Sequence, residues 1–174
     1  SVDITPLREF TTLPDFGAAI RAILSERHFL STPESMTVLF EPADHCWSTE
    51  WHRDVRDHID QPVFDAVLGG GRWERVATDF ANFNQYNCAL YEDTSTWFVP
   101  GTHASMTDTP GQLAAARAQD RAAVENWKKE RSEAEQEIFL LDYCQSMPGA
   151  VQVILQPGDL VLYPATSVHR VTPV

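Results

Sequence analysis

Apolar and polar residues change rhythm several times along the chain, and each change predicts an element. From Leu13, the apolar positions Phe16, Ile20, Ile23 and Leu24 recur at helical spacing behind Asp15 as a candidate cap, which predicts a helix that covers a sheet. Thr32-Pro33 ends it, and Met36 to Phe40 reads as a short strand that stops at Pro42. Trp47 to Val55 reads as a half-buried strand, since Trp47, Trp51 and Val55 are the aromatic and β-branched residues that such a surface selects. Phe80 to Tyr91 alternates with Asn82, Asn84, Tyr86 and Cys88 on one face and Phe83, Gln85, Asn87 and Ala89 on the other. Amides facing inward need partners. The pattern therefore fits either the wall of a wet cavity or an exposed sheet face.

Turn chemistry punctuates the second half. Glu92-Asp93-Thr94-Ser95 leads into a brief strand at Trp97 to Val99, closed by Pro100-Gly101-Thr102-His103. Thr109-Pro110-Gly111-Gln112 has the form of a capping box with Pro at the first helical position, which predicts a helix through about Glu137 and an insertion over about 109–138. Leu113, Val124, Trp127 and Ile138 are too sparse for a broad buried stripe, so a solvated insertion is expected, with a lid or partner-binding arm as the functional alternative. Val151, Val153 and Leu155 then alternate, Pro157-Gly158-Asp159 turns the chain, Leu160 to Tyr163 returns, and Ser167 to Val171 is the last strand. Many short strands with flanking helices predict a mainly β fold.

Bulk composition narrows the classes. The chain has 174 residues, of which 43% are hydrophobic, enough for one domain over 1–174 with an ordinary core. No apolar run reaches the length of a membrane span and no signal segment opens the chain, so a cytoplasmic protein is expected, bound to no membrane. A net charge of −12 and a pI near 4.7 argue against nucleic acid as a partner, because phosphate backbones need clustered Lys and Arg. Cys46, Cys88 and Cys144 are odd in number and lack a Cys-x-x-Cys pair, which predicts reduced, buried thiols. Gly69-Gly70-Gly71 is a loop, since no Lys-Ser/Thr follows to hold phosphate. The chain starts at Ser1 and stops at Val174 inside a β segment, and the polypeptide is expected to continue beyond it.

Within this frame His52 and Asp54 carry chemistry. Two residues apart on a strand, they point to the same side and can grip one metal ion, with His169 as the candidate third ligand. His58-Ile59-Asp60 repeats the pattern, but it lies among charges and is closed by Pro62, as in a solvated turn. Thr49, Asn84 and Tyr86 are candidate contacts to a cosubstrate or substrate. Thr102 and His103 are expected to serve the turn that holds them, and Trp97 to be core.

Several separated stretches, in order, resemble one family. Trp51-His52-Arg53-Asp54 looks like a His-x-Asp strand, and Ala89-Leu90-Tyr91-Glu92-Asp93 followed by Phe98-Val99-Pro100-Gly101-Thr102-His103 looks like a central acidic turn and Val-Pro-Gly block. Pro157-Gly158-Asp159-Leu160-Val161-Leu162-Tyr163 with His169 looks like a Gly-Asp turn and distal histidine. Together these resemble the phytanoyl-CoA dioxygenase-like branch of the iron(II)- and 2-oxoglutarate-dependent oxygenases. The resemblance implies a double-stranded β-helix, a cupin-like jelly roll, with His52, Asp54 and His169 as catalytic iron ligands and 2-oxoglutarate and O2 as cosubstrates. It implies C–H oxidation of a small molecule with release of succinate and CO2, and Asp54 favours hydroxylation or desaturation over halogenation. The family's Arg for the far carboxylate of 2-oxoglutarate would lie beyond Val174. Arg170, next to His169 on a strand, is expected to project to the opposite face. A degenerate metal-binding jelly roll and a zinc-dependent cupin-like enzyme are the alternatives.

Overall fold

The computed structural model describes residues 3–24, 26, 36, 38–39, 47–54, 59–69, 71–72, 75, 79, 84–104 and 132–173. The chain divides into two compact units, Ser1–Phe40 and Glu41–Val174. In the first, α1 (Thr5–Thr11) and α2 (Pro14–Leu24) are joined through Thr12 and Leu13, and the rings of Phe10 and Phe16 lie 4.8 Å apart. The predicted amphipathic helix is α2, which buries Phe16 and Ile20 but leaves Ile23 exposed. Asp15 sits in its first turn rather than before it. Its carboxylate there suits the positive end of the helix dipole. Helix α1 is an addition to the expected elements. Of the strand expected over Met36 to Phe40, the described residues Met36, Val38 and Leu39 are not in a strand, and the other two lie outside the described residues.

The second unit holds α3 (Gln61–Leu68), β1 (Asn84–Cys88), β2 (Thr96–Val99), a 3-10 turn (Thr102–Ala104), α4 (Glu133–Ser146), β3 (Val151–Gln152), β4 (Leu160–Pro164) and β5 (Val168–Val171). Among the described residues the content is mixed, with small antiparallel sheets and several helices. Helix α3 begins where the sequence reads as a turn. Pro62 stands at the start of that helix, where its missing N–H costs nothing, and so opens a helix where it was expected to close a turn.

One sheet has the order β3-β2-β5, all antiparallel, and the other pairs β1 with β4. The sheets meet through Phe98 of β2 and Tyr163 of β4, whose ring centroids lie 4.4 Å apart, edge to face. The turn at Pro157-Gly158-Asp159 carries the chain from the first sheet to the second, because β3 pairs with β2 while β4 pairs with β1. The Gly158 N–H donates to Ala89 O at 2.8 Å and the Ala89 N–H to Asp159 O at 3.0 Å, tying the turn to the end of β1. Gly158 has φ +91 with open space where a Cβ would sit. Gly158→Ala is therefore expected to cost only the backbone strain, about 1–2 kcal/mol, read as a lower urea midpoint with an unchanged slope.

The strand expected over Trp47 to Val55 is irregular in its described part, 47–54. It runs beside β5 with one two-way bridge, His52 N to His169 O and His169 N to His52 O, both 3.0 Å. At Thr49 the pairing is half backbone: the Thr49 N–H donates to Val171 O at 2.9 Å, but the Val171 N–H donates to Thr49 Oγ1 at 2.9 Å, and Ser48 Oγ also donates to Val171 O at 2.9 Å. Hydroxyls this close to the backbone compete with strand pairing.

The back of this sheet packs on α4. Trp51, Trp97, Val99 and Val168 form a core cluster with Cys144 and Met147. Leu140, Cys144 and Met147 recur at helical spacing and are all buried, so the helix runs past its expected end and has an apolar stripe after all. Its start is fixed by Glu135, whose carboxylate accepts from Ser132 N at 2.9 Å and from Ser132 Oγ at 2.6 Å. The capping box expected at Thr109, and most of the 109–138 insertion, lie outside the described residues. No helix among the described residues is long and apolar enough to cross a membrane.

Candidate metal centre

In an antiparallel ladder, directly opposed residues share a face. His52 pairs with His169 and His169 pairs with Phe98, so these three form a row across the inner face of the first sheet. The two imidazole centroids are 4.4 Å apart, and Asp54, two residues beyond His52, comes to the same side. Its Oδ1 lies 3.5 Å from His52 Nε2 and its Oδ2 lies 3.5 Å from His169 Nε2.

Hydrogen bonds behind the rings decide which nitrogen faces the carboxylate. His52 Nδ1 lies 2.7 Å from Glu50 O, and His169 Nδ1 lies 2.9 Å from Ser167 O. A carbonyl oxygen only accepts, so each Nδ1 carries the proton and each neutral imidazole presents its lone pair at Nε2. Metal-binding histidines are oriented in this way in general, the outer hydrogen bond fixing tautomer and ring plane.

One donor atom from each of His52, Asp54 and His169 lies within 4.8 Å of the others. Ligands at right angles on bonds of about 2.1 Å sit about 3 Å apart. Each Nε2 is within about half an ångström of that spacing from one Asp54 oxygen, while the full set of three donors, one from each residue, spans up to 4.8 Å and would draw together around an ion. Two imidazoles and one carboxylate suit a divalent first-row metal and leave positions open on a six-coordinate ion.

Aromatic rings wall the site. Phe98 stacks on His169 at 5.7 Å and Tyr163 lies 5.4 Å from the same ring. Burial, with the Asp54 carboxylate nearby, pushes the Tyr163 phenol well above its ordinary range, although a hydrogen bond with the Asn87 side chain pulls the other way. Tyr163 therefore stays neutral at physiological pH.

The register of β1 on β4 settles which polar residues share this face. Gln85 pairs with Tyr163 and Asn87 with Val161, whereas Asn84 pairs with Pro164 and Tyr86 with Leu162. Side chains alternate along a strand. Gln85 and Asn87 thus stand on the Tyr163 side, and the cosubstrate candidates Asn84 and Tyr86 stand on the other. The hydroxyl of Thr49, the third such candidate, accepts the Val171 N–H.

The remaining candidates have structural partners. Thr102 Oγ1 donates to Val99 O at 2.7 Å and accepts from Val168 N at 2.8 Å, so it serves the turn. His103, in the same turn, is outside the three-residue group. Arg170 is fully buried on the opposite face from His169, over the Tyr143 ring of α4 at 5.6 Å, and its Nη2 donates to Ser48 Oγ at 3.1 Å. Asp60 of the second His-x-Asp pattern is exposed and precedes α3, and His58 lies outside the described residues. Cys144 is buried and Cys88 partly so, both as free thiols, and Cys46 lies outside the described residues.

Sequence reasoning passed over Gln85, Asn87, Phe98, Tyr163 and Arg53 as site residues. Alternation divides β1 into two faces without saying which is inward, and only pairing with β4 resolves it. Arg53 did leave a signal: it shares parity with the apolar Trp51, so its charge falls on the buried side. Compared with family models, with curated proteins and with solved structures, the chain matches none.

Proposed function

We propose that this chain is a non-haem iron(II)- and 2-oxoglutarate-dependent dioxygenase on a double-stranded β-helix, similar to the phytanoyl-CoA dioxygenase-like enzymes and acting on a small molecule. The observation that carries the reading is the convergence of His52, Asp54 and His169 from two distant stretches, with both Nδ1 atoms committed to backbone carbonyls and both Nε2 atoms turned to one carboxylate. Iron(II) bound there would supply, with 2-oxoglutarate and O2, an oxidant strong enough for a C–H bond, with succinate and CO2 released.

The chain's own residues do the positioning. His52 and His169 would each give a neutral nitrogen and Asp54 a single negative charge, so a divalent ion would keep net positive charge toward an anionic keto acid. Phe98 and Tyr163 pack on the His169 ring and shield it from water, and the Asn87 side chain holds the Tyr163 hydroxyl. Gln85 and Asn87 offer neutral donors and acceptors on that face, the replacements this reading makes for Asn84 and Tyr86. Arg170 is turned to α4, so it does not serve the far carboxylate of 2-oxoglutarate.

Incubation of the protein with iron(II), ascorbate and 2-oxoglutarate tests the reading. Succinate should form only with oxygen present and should not form with zinc in place of iron. Oxygen-independent turnover that prefers zinc would establish the cupin-like hydrolase or isomerase instead, and metal binding without turnover the degenerate module.

A further inference from the structure

Arg53 stands between the two near ligands in sequence, but its side chain belongs to the other face. It is almost fully buried, 2% exposed, where a charge is costly unless polar atoms surround it. One nitrogen, Nη1, donates to Thr102 O and to Thr166 O, each at 2.6 Å. Such charge-assisted bonds are stronger than neutral ones.

Both acceptors lead to the distant ligand. The Thr102 hydroxyl accepts the N–H of Val168, the residue before His169. Thr166 precedes Ser167, whose carbonyl accepts from His169 Nδ1. Arg53 therefore grips the turn that aims the His169 ring and the turn that anchors the start of its strand. From this we infer that Arg53 is a positioning residue for the metal centre: the residue between His52 and Asp54 sets the placement of His169. The inference rests on the metal reading of the triad.

Because both bonds leave a single nitrogen, a Lys ammonium can reproduce them in part, whereas Met keeps the length and loses both donors. Cobalt(II), titrated without oxygen and followed by its visible absorption at a temperature where all variants are folded, provides the test. Arg53→Met should bind cobalt about 10–100-fold more weakly than the parent with an altered band shape, and Arg53→Lys should recover part of both. Cys144→Ala loosens the same core layer without touching these bonds, and should bind as the parent does.

Amide hydrogen exchange on the metal-free protein supplies an independent readout, with Val168 and His169 expected to exchange faster in Arg53→Met. Parental affinity and band shape in Arg53→Met, or an equal loss in Cys144→Ala, would overturn the inference. Should the parent protein take up no cobalt, the metal reading fails, and unchanged exchange at Val168 and His169 would then overturn the brace as well. If Arg53→Met does not fold, Arg53→Lys carries the same comparisons with a smaller expected shift.

Discussion

Asp54→Ala is expected to weaken divalent metal binding by more than about a hundredfold, beyond the 10–100-fold typical of losing an outer partner, and to bring succinate formation down to the level without protein. The carboxylate is the only charged member of the triad and faces both Nε2 atoms at 3.5 Å, so no neighbour in the group can replace it. The fold should survive. The Asp54 backbone N–H still donates to Ala165 O, and the side chain is partly exposed, so its removal leaves no buried cavity. Cobalt titration beside urea denaturation separates the two effects. Unchanged affinity in a folded Asp54→Ala protein would remove the triad from the proposed chemistry.

Trp51→Ala should do the reverse and strike stability first. Trp51 is 2% exposed in the cluster with Trp97, Val99, Cys144, Met147 and Val168, and truncating such a residue costs about 3–5 kcal/mol. Small domains are stable by about 5–15 kcal/mol in total. The variant is therefore expected to be marginal or unfolded at 37 °C. Trp47, four residues earlier, is 37% exposed, and Trp47→Ala should cost clearly less than Trp51→Ala. Urea titrations of the pair test the burial pattern, and equal losses would contradict it.

The sequence displays the ligands more openly than the frame that holds them. A His and an Asp two residues apart are legible because the pleat has period two, and His169 stood out as the only histidine in the final β segment. Their actual meeting depends on the bridge between His52 and His169, a long-range pairing that leaves no local trace. The same blindness explains Asn84 and Tyr86: their alternation with Gln85 and Asn87 is plain, but the face turned to Tyr163 is fixed by partners more than 70 residues away.

Helices went astray for more local reasons. Pro62 both ends turns and opens helices, and the apolar residues after it, Val63, Phe64 and Val67, were too few to tip the reading. Only Phe64 of these three is buried. In α4 the charged run through Glu137 masked the stripe of Leu140, Cys144 and Met147, which starts where the charges stop. The segment Trp47 to Val55 was expected to be a strand because its composition suits one, yet at Thr49 a hydroxyl replaces the carbonyl as acceptor for the Val171 N–H and the pairing is only half backbone.

Parity governs residues 51–54. Odd positions, Trp51 and Arg53, are committed to the back of the sheet, and even positions, His52 and Asp54, to its front; Val168 and His169 divide in the same way on the facing strand. Substitution can alter one side and spare the other. A change of length cannot, since inserting or deleting one residue here would drive an indole toward the imidazoles and strand a ligand behind the sheet. Homologous chains that keep this chemistry should therefore vary in letters along these stretches, but never in spacing.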